Sequence, residues 1–348
     1  MEKARFKWVL RERNRKIAAK TEVFTEQQAR RVRSFHSSFK EYSPTPLIEL
    51  TSLAQHLGIK NLFVKDESYR FELNAFKVLG GSFAIGSYIA NELGEDIDDL
   101  PYMRLVSDEV RSLLGSKTFI TTTDGNHGRG VAWTANRLKQ QAIVYMPQGS
   151  AAERLANIRA EGAQAEITDM NYDDTVRYTS ELAQKNGWII VQDTAWDGYT
   201  RIPLWIMQGY MTMALEAYEQ LPVKPTHIFL QAGVGSLAGS VQGFFADIYG
   251  SSCPLTFIVE PKGADCLYQT AAANDGSLHS VTGRLETIMA GLACGEPNSI
   301  AWEILGNLSD GFISCPDYTA AQGMRILGNP LAGDTKVSAG ESLSLIHI

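Results

Sequence analysis

Between residues 118 and 192 the chain repeats one pattern: a short β-prone run, then a stretch whose apolar residues fall at helical spacing. The runs at 118–122, 142–146, 164–168 and 188–192 start 22 to 24 residues apart. Val131, Ala135 and Leu138 make the first gap helical, Leu155 and Ile158 the second, Val176 and Leu182 the third. Ser150 and Glu153 read as a capping box that opens the second helix, and Gly162 as its stop. Strands separated by whole helices pair in parallel, because each crossover carries the chain back to its starting edge. Right-handed crossovers then lay the helices over the sheet.

A second β-rich set follows. Residues 227–231 (HIFLQ) read as a strand, then a glycine-rich turn, then a helix carrying Leu237, Val241, Phe244 and Ile248; residues 255–260 (LTFIVE) read as the next strand. Upstream, Thr25 and Gln28 form a capping box for a helix with Ala29, Val32 and Phe35 on its inner face. Residues 43–47 must be extended, since each proline restricts the residue before it, and 61–65 read as a short strand. Residues 1–20 are charged and unpatterned, and are expected to form a loose arm. The expected fold class is α/β with two domains, each a mainly parallel twisted sheet flanked by helices. The expected division is 1–80 plus 187–348 as the large domain and 81–186 as the small one, with the cleft between them as the site.

Composition narrows the function. At roughly 150 residues per domain, 348 residues suit two domains. A net charge of -7 argues against nucleic-acid and anionic-membrane partners. No apolar run nears the roughly 20 residues that span a bilayer, and the basic N-terminus lacks the apolar core of a signal peptide. Cys253, Cys266, Cys294 and Cys315 include no C-x-x-C pair and read as reduced thiols, which makes the cytoplasm the expected address. Cys266 and Cys294 lie in loops that can meet, which leaves a redox-sensitive pair open. No metal is expected.

Three segments carry chemistry. The first is ELNAFKVLGG, residues 72–81. Lys77, preceded by Phe76 and followed by a helical run, can project from a helix start, where the dipole lowers an amine's pKa and makes it a better nucleophile. A lone lysine is otherwise a solvated surface group. The second is TTTDGNHG, residues 121–128, a strand-to-helix turn whose free N–H groups suit a carboxylate. Its bland reading is a capped turn. The third is GVGSLAG, residues 233–239, where glycines and a helix N-terminus suit a phosphate. The same residues fit the dinucleotide pattern G-x-G-x-x-A, with Glu260 placed to bind a ribose. A nicotinamide-dependent oxidoreductase is therefore the alternative from another class.

The order of these segments decides between the two. The extended Thr45-Pro46-Leu47, the Lys77 segment, the Asp124-Gly125-Asn126-His127-Gly128 turn and the late glycine cradle follow one another as in fold-type II pyridoxal-phosphate enzymes. The chain resembles the superfamily of tryptophan synthase β, threonine dehydratase and cysteine synthase. More narrowly, it is similar to the diaminopropionate ammonia-lyase family, through DESYRFELNAFKVLGG, TTTDGNHGRGVAW, VYMPQGSAAER, TDMNYDDTVR, VQDTAWDGYTRIPLWIMQGY, LQAGVGSLAG and IMAGLACGEPN. Asp124 adds specificity, because many relatives carry Ser or Gly there.

The resemblance implies that Lys77 is the Schiff-base lysine for pyridoxal 5'-phosphate, with Phe76 beside it. It implies that Asn126 meets the cofactor's ring oxygen and that Gly233, Val234, Gly235, Ser236 and Leu237 hold its phosphate. Thr122, Thr123 and Gly125 would receive the substrate carboxylate. The implied reaction takes 2,3-diaminopropionate and water to pyruvate and two ammonia, with Lys77 as one base and Asp124 as a second acid/base. Asp193 is a further partner for the β-ammonium or, more plainly, a turn-capping residue, and His127 reads as structural. A serine/threonine dehydratase-like activity is the neighbouring alternative. The expected partners are a small amino acid and a second copy of the chain in a homodimer. The family pattern is kept to residues 338–342 and left at 343–348. The resemblance thus reads as C-terminally shortened, with a strand missing from the large-domain sheet, an apolar face exposed, the pyridine nitrogen's partner absent and little activity left.

Overall fold

The computed structural model describes residues 6–12 and 21–345. Its strands are β1 (Lys7–Leu10), β2 (Leu47–Glu49), β3 (Phe63–Lys65), β4 (Thr118–Thr122), β5 (Gln141–Met146), β6 (Gln164–Ile167), β7 (Ile189–Ile190), β8 (His227–Gln231), β9 (Leu255–Pro261) and β10 (Gly311–Cys315). The repeating region folds as expected: β6-β5-β4-β7 is one all-parallel sheet. The second set gives β1-β10-β9-β8, parallel except that β1 runs antiparallel to β10. β2 and β3 pair as a small antiparallel ribbon.

Three sequence expectations are corrected. The loose arm contains β1, which β10 recruits over a long chain separation; residues 1–5 and 13–20 of that arm lie outside the described residues. The Ser150 cap does not form. Its hydroxyl donates to the Pro147 carbonyl at 2.8 Å, and the Ala152–Ala160 helix starts behind Ala151 with no side-chain cap. The strand expected over 188–192 shrinks to two residues: the N–H of Gln192 donates to the Tyr199 hydroxyl at 2.8 Å and leaves the ladder. The Thr25 cap does form, with its hydroxyl oxygen accepting from Gln28 N at 3.2 Å, and Ala29, Val32 and Phe35 are buried.

The Lys77–Leu93 helix is the centrepiece, held by close crossings at glycines. A Cβ on Gly209, in the Arg201–Gln220 helix, would fall 2.3 Å from the Leu79 carbonyl oxygen. One on Gly130, in the Asn126–Arg137 helix, would fall 2.8 Å from the Val78 Cα. Backbones this near fix the first turn of the Lys77 helix against both neighbours. His36, fully buried, adds a polar tie: Nε2 donates to Leu79 O at 3.0 Å and Nδ1 accepts from the Thr212 hydroxyl at 2.7 Å. Burial, then the Arg70 charge, holds its pKa down at about 3, so the ring is neutral.

The segment just before Lys77 is anchored by charge. Arg70 is fully buried and donates to Glu67 Oε2 at 2.8 Å and Glu216 Oε2 at 2.7 Å, while Lys65 donates to the same Glu216 oxygen at 2.7 Å. Burial alone would raise Glu216, but its two cations outweigh it and hold the carboxyl at about 2. A buried ion network of this kind specifies one arrangement, because separating any member leaves an uncompensated charge.

At the C-terminal side, the Glu341–Ser344 helix lies against the Tyr318–Gly328 helix, and Leu345 packs with Val259, Met289 and Leu292. β8 forms the other edge of its sheet, with Phe229 exposed on it; Trp8 and Leu10 are exposed on β1. Among the described residues no helix is long and apolar enough to cross a membrane.

Candidate active site

The three segments meet. One cleft is lined by Phe76, Lys77, Thr122, Thr123, Asp124, Asn126, His127, Asp193 and residues 233–237, with Tyr172, Gly291, Cys294 and Ser342 among its wall residues. Lys77 is the first residue of its helix, and its amine forms an ion pair with Asp193. Burial pulls the amine's pKa down, yet the Asp193 carboxylate outweighs this and holds it above the ordinary lysine value. Burial likewise pushes Asp193 up, but Lys77 and then His127 bring it down to about 2.

Asp193 is not a turn cap. It joins two of the three segments, because its backbone carbonyl also accepts from the Ser236 hydroxyl at the cradle. The neighbouring Gln192 places it. Fully buried, Gln192 offers Oε1 to Thr122 N at 2.9 Å and the Thr121 hydroxyl at 3.0 Å, and donates through Nε2 to the Tyr172 hydroxyl at 2.9 Å. A side chain thus replaces the strand pairing that β7 gives up.

Asp124 stands at the mouth. Arg154 Nη1 donates to its Oδ2 at 3.1 Å. Burial raises the Asp124 carboxyl above the ordinary range, and Lys77 and Arg154 only partly counter this. In the same turn, Thr123 Oγ1 accepts from Gly125 N at 2.9 Å and Gly128 N at 3.0 Å, so Thr123 acts as the cap. The Thr122 hydroxyl points away from the cleft, donating to the Thr175 carbonyl at 3.1 Å beside Thr179. Among the described residues the N–H groups of Asn126 and His127 have no partner, nor does the Asn126 side chain, which is exposed to the cleft. His127 is buried and donates through Nε2 to Val191 O at 2.7 Å, which fits the structural role; its Nδ1 is left without a partner.

The cradle runs from Gly233 into the Ser236–Tyr249 helix. None of the N–H groups of residues 233–237 donates to another described residue. Gly235 has φ of 102°, and a Cβ there would lie 3.2 Å from Leu267 Cδ1 and 3.3 Å from Ala301 Cβ. Unpaired N–H donors at a helix start, with little room for a Cβ at Gly235, suit a bound phosphate. Asn298 supports the turn: its N–H donates to Val234 O at 2.8 Å and its Nδ2 to Ser236 Oγ at 2.8 Å.

The dinucleotide alternative fails at Glu260. That carboxylate is fully buried, and its oxygens accept from Leu267 N at 2.9 Å and Tyr268 N at 2.7 Å, so it caps the Cys266–Ala273 helix instead of facing a ribose. An amine, an unpaired cradle and a free Asn126 amide in one cleft fit pyridoxal phosphate.

Comparison with known proteins agrees. The family described as "Pyridoxal-phosphate dependent enzyme" matches residues 39–337. A diaminopropionate ammonia-lyase from Escherichia coli (strain K12) is 52% identical over 324 residues, covering 92% of this chain and 80% of that protein. The chain belongs to the diaminopropionate ammonia-lyase family. Its fold matches the crystal structure of the holo E. coli diaminopropionate ammonia-lyase with a TM-score of 0.90 and 49% identity, over 98% of this chain and 85% of that one. The E. coli enzyme in complex with D-serine gives the same TM-score, 0.90, at 48% identity and the same coverage of 98% and 85%. The cofactor is pyridoxal phosphate, and the fold is that of the fold-type II enzymes.

Tyr172 in the cleft wall, and Gln192, Asn298 and Arg154 behind it, support the site without being singled out from sequence. Gln192 stands beside the singled-out Asp193, and Asn298 ends the quoted IMAGLACGEPN stretch; spacing alone assigns neither a role. Cys266 and Cys294 are both free and flank Gly233, with Cys266 Sγ 3.8 Å from the Gly233 carbonyl oxygen.

Proposed function

We propose that this chain converts 2,3-diaminopropionate and water to pyruvate and two ammonia by α,β-elimination. The observation that carries the reading is the Lys77–Asp193–Asp124 cluster: one amine and two carboxylates of different proton affinity in a single cleft beside the cradle. Pyridoxal phosphate, when bound, supplies the sink for the electron pair that deprotonation leaves at the substrate's Cα. Residues 233–237 hold its phosphate, Asn126 its ring oxygen, and Phe76 packs beside it.

Lys77 anchors the cofactor and moves the α-proton on its own face. Asp124 serves the opposite face, which admits both D and L substrates; its raised pKa suits a group that must both take and return a proton. Asp193, already paired to one ammonium, receives the substrate's β-ammonium when Lys77 is engaged. The β-nitrogen leaves as neutral ammonia with the C–N bond pair. Released aminoacrylate then adds water and loses the second ammonia. The Thr122–Thr123–Gly125 turn receives the substrate carboxylate through the unpaired N–H groups of Asn126 and His127, while Thr123 and Gly125, hydrogen-bonded to each other, hold its shape and the Thr122 hydroxyl is turned away.

The domain division is proposed with its second boundary after Ile190, since β7 pairs with β4. A homodimer is proposed on the exposed Trp8, Leu10 and Phe229, and a cytoplasmic setting on the buried, reduced thiols of Cys266, Cys294 and Cys315.

The test is pyruvate release from D- and L-diaminopropionate, serine and threonine. Diaminopropionate turnover with poor serine and threonine turnover is expected, since neither hydroxy acid offers a β-cation. Efficient threonine deamination would favour the dehydratase reading.

A further inference from the structure

We propose that Arg154 is a positioning residue that keeps Asp124 in its carboxylate form and fixes it at the cleft mouth; this rests on the reading of Asp124 as a base. Arg154 lies in VYMPQGSAAER, a stretch to which the proposed reaction assigns no role.

Its guanidinium bridges three segments. From the Ala152–Ala160 helix, Nη1 donates to Asp124 Oδ2 at 3.1 Å and to the Asp124 carbonyl oxygen at 3.3 Å, while Nη2 donates to Glu341 Oε1 at 2.9 Å. A planar fork held by two carboxylates has little freedom, which a lysine cannot copy. The stem is fixed as well. A Cβ on Gly125 would fall 3.0 Å from Arg154 Cδ and 3.5 Å from its Cγ, so the missing side chain at Gly125 is what lets the stem lie across the turn.

The groups facing Asp124 are Lys77 and Asp193 from the cleft floor, His127 from its own turn, Tyr172 and Cys294 from the wall, and Arg154 from the mouth. Against burial, the charges of Lys77 and then Arg154 lower Asp124, with a smaller contribution from the backbone N–H of Asp124 itself. Lys77 is the residue that carries the cofactor, and it is Arg154 that is hydrogen-bonded to the Asp124 carboxylate. Loss of Arg154 therefore raises the proton affinity of Asp124, and the base form disappears at a higher pH.

The experiment compares holoenzyme pH profiles of kcat/KM for D- and L-diaminopropionate in the natural chain, Arg154→Gln, Arg154→Lys and Asp124→Asn. An opposite charge within hydrogen-bond reach shifts a carboxyl by about 1–3 pH units; for a partly exposed pair the lower end applies, so the acid limb for the D substrate should rise by about 1 unit in Arg154→Gln. Arg154→Lys should return part of that shift. Infrared difference titration of the apo-protein, with the Asp124 band assigned by its loss in Asp124→Asn, should show the same rise without any turnover. An unmoved acid limb and an unmoved band, or a loss equal at every pH, would overturn the proposal. If Asp124→Asn reduces both enantiomers equally, the base reading of Asp124 fails, while the infrared band still decides whether Arg154 sets its proton affinity.

Discussion

The Lys77 amine and the Asp193 carboxylate, 116 positions apart, form an ion pair on the floor of the cleft. Each holds the other charged where burial alone would neutralise it. The sign of the pH effect follows. A carboxyl held at about 2 against its ordinary 3.8 contributes stability that is present above 3.8 and lost as the pH falls towards 2. A raised lysine contributes stability present below its ordinary 10.5 and lost as the pH rises through the folded value. Urea midpoints of the apo-protein against pH, natural chain minus Asp193→Asn, should therefore give a difference that is flat near neutrality and shrinks between about pH 4 and 2. A difference constant through that window would remove the ion pair from the account.

Asp124→Asn should reduce D-diaminopropionate turnover far more than L. Loss of a general base costs about 10²–10⁴-fold in rate, and Lys77 still serves the other face. Steady-state rates on the separate enantiomers check this; equal losses would assign Asp124 to β-ammonium binding instead.

Local pattern and long-range pairing divide what the sequence makes legible. The parallel sheet over 118–190 is readable because each strand–helix unit carries its own periodicity, and Lys77 falls at a helix start as its segment suggests. β1 is not, because four residues with exposed Trp8 and Leu10 carry no pattern of their own and acquire a strand only from β10. Ser150 shows a motif with the right letters that does not cap, because its hydroxyl turns back to the Pro147 carbonyl and the helix starts behind Ala151. Of the site, the three segments are readable in order. The roles of Gln192, Asn298 and Arg154 are not, because each consists of side-chain hydrogen bonds to residues distant in sequence.

Gly235→Ala should weaken cofactor binding. The residue has φ of 102°, and a new Cβ meets Leu267, Ala301 and Leu305 at 3.2–3.3 Å. Strain of this kind costs about 1–3 kcal/mol, which corresponds to roughly five- to 150-fold in affinity where binding must bear it. Titration of the apo-protein with pyridoxal phosphate measures it; unchanged affinity would mean the cradle tolerates a side chain.

Asn298→Ala should lower both stability and cofactor affinity. It removes the cap on Ile300 N and Ala301 N together with the bond to Ser236 Oγ. Loss of such a cap costs about 0.5–2 kcal/mol. A lower melting temperature without weaker cofactor binding would confine Asn298 to the helix it caps.

The assignment of Lys77 as the residue that holds the cofactor is tested most directly by borohydride reduction of the holo-protein, followed by proteolysis and mass mapping. One pyridoxyl group is expected, on the peptide containing Lys77, and none in Lys77→Ala. A pyridoxyl group on another lysine, or none on folded protein saturated with pyridoxal phosphate, would contradict it.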